Sequence, residues 1–176
     1  MVTLPFYIAS AVAIAATFMV ITRLNAVHAL LYLVVSLLAV ALIFLLLGAP
    51  FAAALEVVIY AGAIMVLFVF VVMMLSMGPH GASEKWEKPG ISAWIGPGIL
   101  FAVLLAELLY VFGRTPYVPV HVAEVTPRQV GARLLGPYLL GVELVSMLLL
   151  VGLTGAFHLA YHLGKRETQK GAGGSR

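Results

Sequence analysis

Long apolar runs separated by short polar segments dominate the chain. Five of the runs are about 20 residues long, and at 1.5 Å per residue a helix of that length crosses a hydrocarbon core of about 30 Å. The nine prolines fall outside the interiors of these runs, which supports the same division. The pattern therefore predicts five membrane-spanning helices, at residues 4–21, 27–47, 53–75, 94–112 and 137–160.

Composition supports this fold class. Of the 176 residues, 63% are hydrophobic and 10% are charged, whereas soluble domains have about 45–50% apolar and about 25% charged residues. The continuous runs also exclude a β-barrel, whose strands alternate. We predict an all-α integral membrane protein with one transmembrane domain at residues 1–164. The polar, Gly-rich tail at residues 165–176 is predicted to be disordered.

The basic residues predict an orientation. Seven of the ten Lys and Arg residues lie on the same side of the membrane as the C-terminus, so we predict a cytoplasmic C-terminus and an outside N-terminus. The first helix has no basic residue before it and is interpreted as retained. The net charge of +3 is small and predicts no nucleic-acid partner. In the long outer loop, residues 117–122 could pair as a strand.

Three carboxylates lie within the predicted spans, where a charge is costly unless it faces protein or water. Glu143 is the deepest, about 9 Å from the outer end, and is a candidate proton-active group. Its alternative role is a structural hydrogen bond to a neighbouring helix, with Ser146 on the same face. Glu107 is expected to reach water from one turn inside the interface.

The third predicted span carries a polar stripe. In an α-helix Glu56, Tyr60 and Ala63 share one face, at i, i+4 and i+7. Gly62 lies between Ala61 and Ala63 and has two interpretations. It is either a small-residue notch for close packing or the centre of a local π-type distortion at a functional site.

Redox and metal chemistry have no candidate residues here. The chain has no cysteine, which excludes iron–sulfur ligation and disulfides, and its five histidines are not at metal-ligand spacing. No catalytic residue is predicted. If the function is redox chemistry, another chain holds the cofactors.

Three blocks of the sequence resemble a known family: residues 23–33, 55–75 and 136–150. They are similar, in order, to subunit J of the bacterial proton-pumping NADH:quinone oxidoreductase, respiratory complex I. The mitochondrial counterpart is NADH dehydrogenase subunit 6. The resemblance covers all five predicted helices. Ala26 stands where the family usually has proline, which leaves the start of the second helix less rigid.

The resemblance implies a non-redox subunit of the membrane arm, in the cell inner membrane. The complex couples electron transfer from NADH to quinone with proton translocation. Its neighbours would be other membrane-arm subunits, the counterparts of subunits A, H, K and N. FMN and iron–sulfur clusters would lie in the peripheral arm, and quinone would also be bound by partner subunits. The family's third helix is associated with a π-bulge beside a hydrated proton path. This implies coupling roles for Tyr60, Gly62, Val66 and Phe68, with Glu56 and Glu143 as further candidates.

Two other classes remain open at this point. A related multi-subunit cation/proton antiporter or membrane-bound hydrogenase would use similar helices. A self-contained small transporter is disfavoured, because the sequence has no inverted repeat and no matching pair of interrupted helices.

Overall fold

A computed structural model describes residues 3–76, 91–114 and 125–173, and the described residues form helices joined by turns. The helices in chain order are α1 (Thr3–Thr22), α2 (Ala26–Leu46), α3 (Pro50–Leu55), a π-helix (Glu56–Ile64), α4 (Met65–Ser76), α5 (Ile91–Arg114), α6 (Pro127–Leu134) and α7 (Leu139–Gly173).

Five helical stretches are long and apolar enough to cross a membrane: Thr3–Thr22, Ala26–Leu46, Pro50–Leu75, Trp94–Gly113 and Leu139–His162. This confirms the predicted number of spans. The third span is continuous through α3, the π-helix and α4. It begins at Pro50 rather than near residue 53, because a proline is well suited to the first helical turn, where its missing N–H is harmless.

The chain divides into two compact units. One comprises residues Met1–Thr126 and the other Pro127–Arg176. The second unit contains α6 and α7, and no residue of its span at Leu139–His162 is buried within the chain. The division follows because the packed core lies entirely in the first unit.

That core is built by small residues of α1 and branched residues of α2. Ala9 and Ala16 are fully buried in a cluster that also contains Val12, Val35, Ala39, Leu42 and Leu104 of α5. Small side chains let the two helix backbones approach closely. The alanines of α1 therefore line its packing face.

Polar groups of α2 are satisfied inside this unit. The Ser36 hydroxyl lies 2.8 Å from the Thr17 hydroxyl of α1. The Tyr32 ring lies under the Arg23 guanidinium, whose carbon is 5.4 Å from the ring centroid, within range of a cation–π interaction. Asn25 caps α2, because its side-chain oxygen accepts the Val27 N–H at 3.0 Å.

A glycine ends α2 and forms the turn that leads into the third span. Gly48 has φ of 80°, and its N–H donates to Leu45 while the Ala49 N–H donates to Phe44. This is a Schellman cap, which favours glycine at the left-handed position. The Gly48 carbonyl then accepts the Val125 N–H at 3.1 Å, which joins Val125 to this turn.

Local structure differs from the sequence analysis, or goes beyond it, at three places. Pro97 lies inside α5, because the helix begins at Ile91 rather than near Trp94. The predicted outer loop contains α6, which starts at Pro127. The helix α7 extends into the tail as far as Gly173, because extending an existing helix needs no new nucleation. The candidate strand at residues 117–122 lies outside the described residues.

Candidate functional site on the third span

The middle of the third span is wound as a π-helix over Glu56–Ile64. The Met65 N–H donates to the Tyr60 carbonyl, five residues earlier, where an α-helix would use the residue four earlier. π winding is rare and frequently marks functional sites. It is also the distortion that one of the two interpretations of Gly62 expected.

Gly62 fits this winding because it has no side chain. A Cβ added there would lie 3.1 Å from the Val57 carbonyl oxygen of the same helix, closer than most Cβ contacts. Within the described residues outside this helix, no atom lies within 4 Å of that position. The alternative role, a notch filled by a neighbouring helix, is therefore not used within the described chain.

The winding changes which residues share a face. A π-turn holds about one residue more than the 3.6 of an α-turn, so each residue advances by roughly 80°. Glu56 and Tyr60 still lie within roughly 40° of each other, whereas Ala63 lies on roughly the opposite side. The predicted stripe of three residues is therefore wrong for Ala63, because it assumed α-helical periodicity.

Tyr60 is open to the outside of the chain. Its side chain is 51% exposed, and within the described residues neither its hydroxyl nor the Glu56 carboxylate has a hydrogen-bond partner. Glu56 is half-buried. The structure thus brings the two residues to one side of the span without joining them directly.

Val66 and Phe68 follow in the first turn of α4. They are 67% and 52% exposed. Met65, the first residue of α4, is buried. Val66 and Phe68 project to different sides, since two residues of an α-helix turn through roughly 200°. Both side chains therefore lie on surfaces that the described residues leave uncovered.

Glu143 lies in the second unit, exposed on α7. The Ser146 hydroxyl donates to the Glu143 backbone carbonyl at 2.8 Å, and not to its carboxylate. The Ser146 hydroxyl is therefore satisfied within its own helix.

Glu107 is the residue that the sequence reasoning missed. It is only 7% exposed, so the expectation that it reaches water is wrong. Both carboxyl oxygens are buried without a hydrogen-bond partner in the described part of the chain. The missed signal was its position on the α5 stripe with Leu104 and Leu108, which pack on the core.

No group of three or more metal-ligating side chains occurs among the described residues.

Residues 16–159 match the family of NADH-ubiquinone/plastoquinone oxidoreductase chain 6. This chain belongs to that family. The match covers more than half of the sequence and agrees with the resemblance found in its three blocks.

Individual relatives support the same assignment. The NADH-quinone oxidoreductase subunit J of Pseudomonas aeruginosa is 55% identical over 168 residues, which cover 94% of this chain and 98% of the relative. The subunit J of Escherichia coli K12 is 51% identical over 156 residues, covering 88% and 84%. That of Buchnera aphidicola from Schizaphis graminum is 45% identical over 154 residues, covering 88% and 94%. The family membership favours this assignment over the antiporter and hydrogenase alternatives.

Proposed function

We propose that this chain is a membrane-arm subunit of NADH:quinone oxidoreductase and helps couple electron transfer to proton translocation through its third span. The family membership supports the complex, since relatives covering most of the chain are named as subunit J. The observation that carries the mechanism is the π winding at Glu56–Ile64, in the middle of an otherwise α-helical span.

The coupling step is a change of winding. Returning all nine residues of the π segment to α winding adds roughly 20° at each residue, which rotates the side chains that follow by roughly 180° relative to those that precede it. Val66 and Phe68 would then exchange the directions they face. In one winding an apolar side chain blocks the water path, and in the other the Tyr60 hydroxyl leaves room for water.

The free energy for this change comes from elsewhere in the complex. Quinone binding or reduction elsewhere in the complex favours one winding over the other and so shifts the equilibrium between them. Glycine costs about 1 kcal/mol relative to alanine in an α-helix interior, so Gly62 weakens the competing α winding. The two windings are therefore close enough in free energy for a partner to select between them.

The chain acts in this scheme without a redox centre of its own. Because the sequence lacks cysteine, partner subunits would hold the iron–sulfur clusters, together with FMN and the quinone site. The counterparts of subunits A, H, K and N are the proposed neighbours. The exposed surfaces of the third span and of α7 are the faces available to them.

Gly62→Leu tests the switch. The bulky side chain should trap one winding, since even a Cβ at Gly62 approaches the Val57 carbonyl to 3.1 Å. We expect an assembled complex whose quinone reductase turnover and proton pumping fall by roughly tenfold, as for a barrier raised by about 1.4 kcal/mol. Gly98→Leu is the control, because nothing lies within 4 Å of a Cβ at Gly98. Unchanged turnover and pumping in assembled Gly62→Leu would refute the switch, and lost assembly would favour a packing role.

The proposed orientation has a separate test. The proposed subunit lies in a bacterial inner membrane, with its N-terminus outside and its C-terminus on the cytoplasmic side. An impermeant thiol reagent added from outside should then label Thr126→Cys and not Ser83→Cys. The native sequence has no cysteine, so the introduced cysteine is the only thiol of this chain that the reagent can label. The opposite labelling pattern would reverse the orientation.

A further inference from the structure

A buried carboxyl in the first unit has no role in the winding mechanism. Glu107 lies on the inward stripe of α5, three residues after Leu104 and one before Leu108. Both of its carboxyl oxygens are covered, and neither has a hydrogen-bond partner within the described residues. Such an unpartnered group is uncommon inside proteins and calls for an explanation.

The cations on the helices packed against α5 lie far from this carboxyl within the described residues. The helices packed against α5 are α1 and α2. Apart from tyrosines, the titratable or charged side chains of these helices and the turn between them are Arg23 and His28. On α5 itself, Tyr110 and Arg114 follow Glu107 by three and seven residues, and the Glu107 carboxyl oxygens have no hydrogen-bond partner within the described residues. Arg23 is held against Tyr32, and His28 lies one turn before Tyr32 on α2.

The Tyr32 ring fixes the level of these groups along α5. A Cβ added at Gly96 would overlap the Tyr32 hydroxyl and lie 3.1 Å from its Cζ atom. Gly96 is eleven residues before Glu107, which corresponds to roughly 16 Å along the helix. Arg23 and His28 are therefore near the opposite end of the span from Glu107.

The tyrosines do not neutralise the carboxyl either. Tyr32 lies at the distant level just described. Tyr7 on α1 is exposed, and its ring contacts Phe6 edge-on. A hydroxyl donor on either ring would have given Glu107 a hydrogen-bond partner, and neither does.

We propose that Glu107 is a proton-binding site of this subunit, occupied by a proton while α1, α2 and α5 are packed together. Burying an ionised carboxylate without a cation or a hydrogen-bond donor is far more costly than burying the neutral acid. Release of the proton requires water to enter between α5 and the other two helices. Proton occupancy and the packing of the first unit are therefore linked, independently of the third span.

Carbodiimide labelling of the intact complex in bilayers tests this site. A carbodiimide adds across the O–H of a carboxylic acid: the carboxyl oxygen bonds its central carbon, the proton moves to a nitrogen, and nothing leaves. A lipid-soluble carbodiimide at neutral pH, followed by peptide mass spectrometry, should label Glu107. Glu107→Gln should remove the label from that peptide, and Glu143→Gln should not.

A second variant separates protonation from access of the reagent. Leu104 is buried one turn before Glu107, so Leu104→Ala opens the packing beside the carboxyl without changing it. Labelling of Glu107 in the wild type, or in Leu104→Ala alone, supports a protonated site. Absence of label in both proteins overturns the proposal. Equal labelling of the wild type by a water-soluble carbodiimide also overturns it, because the carboxyl would then be in contact with water.

Discussion

α2 and the third span are consecutive helical stretches of similar length that differ in what covers them. Six residues of α2 are buried, including the polar Tyr32 and Ser36. In the third span only Ala53 and Met65 are buried. α2 is thus a structural helix of this chain, whereas the third span leaves most of its surface to other molecules.

The polar groups of the two helices show the same difference. The Ser36 hydroxyl of α2 is paired with Thr17 across a helix interface, whereas Tyr60 and Glu56 have no hydrogen-bond partner among the described residues. Polar groups that are paired inside a subunit hold its helices together. Polar groups left open in a membrane span need protein or water from outside the subunit.

The largest effect on the packed region is expected from Gly96→Ala. The new Cβ would overlap the Tyr32 hydroxyl, and overpacking of this kind typically costs about 1–3 kcal/mol. We expect a lower thermal midpoint for retention of the subunit in the complex. Gly98→Ala is the matched control, since its Cβ meets nothing within 4 Å.

A double variant checks the cause of that loss. Tyr32→Phe removes the oxygen with which the Cβ of Gly96→Ala would overlap, so adding it should restore part of the midpoint. If Gly96→Ala and Gly98→Ala proved equally stable, the close approach of α2 and α5 would not contribute to stability.

A smaller effect is expected for the hydroxyl pair between α1 and α2. Hydrogen bonds between membrane helices contribute about 0.6 kcal/mol on average. A double-mutant cycle with Thr17→Val and Ser36→Ala should therefore give a coupling of about that size in subunit stability. Thr154→Val on α7 should be neutral, because the Thr154 hydroxyl bonds only to its own helix. A coupling of zero would mean that the pair is incidental.

The smallest effect is expected for Glu143→Gln on the exposed α7. An amide keeps the size and hydrogen-bonding capacity of the carboxyl, so a structural role predicts normal assembly and pumping. The measurement is proton pumping by the assembled complex in vesicles. Strongly reduced pumping at normal assembly would identify Glu143 as a proton relay instead.

The sequence predicted the spans because length and hydropathy suffice to define a membrane helix. It did not predict α6, since an eight-residue polar helix has no membrane signal, although Pro127 is a common first helical residue. The cross-helix pair of Thr17 and Ser36 depends on how two helices pack, which residue spacing within either helix does not give.

The candidate site was predicted in part, for physical reasons. Gly62 marked an irregularity, but the residues alone left packing and distortion equally open, and the choice depends on backbone hydrogen bonds. Glu107 was judged by its depth in the membrane rather than by the helix face it occupies. Depth sets the cost of a charge, whereas the face decides whether water can reach it.

The π winding also affects the length of the third span. If a π-turn advances about as far along the axis as the 5.4 Å of an α-turn, each residue rises about 0.3 Å less, and the nine residues of Glu56–Ile64 shorten the span by about 2–3 Å. Rewinding the whole segment would lengthen the helix by that amount along the membrane normal. One end of the span adjoins the Gly48 turn, whose carbonyl is bonded to the Val125 N–H. A change of winding would therefore act as an axial displacement of the helix, transmitted through that hydrogen bond to Val125.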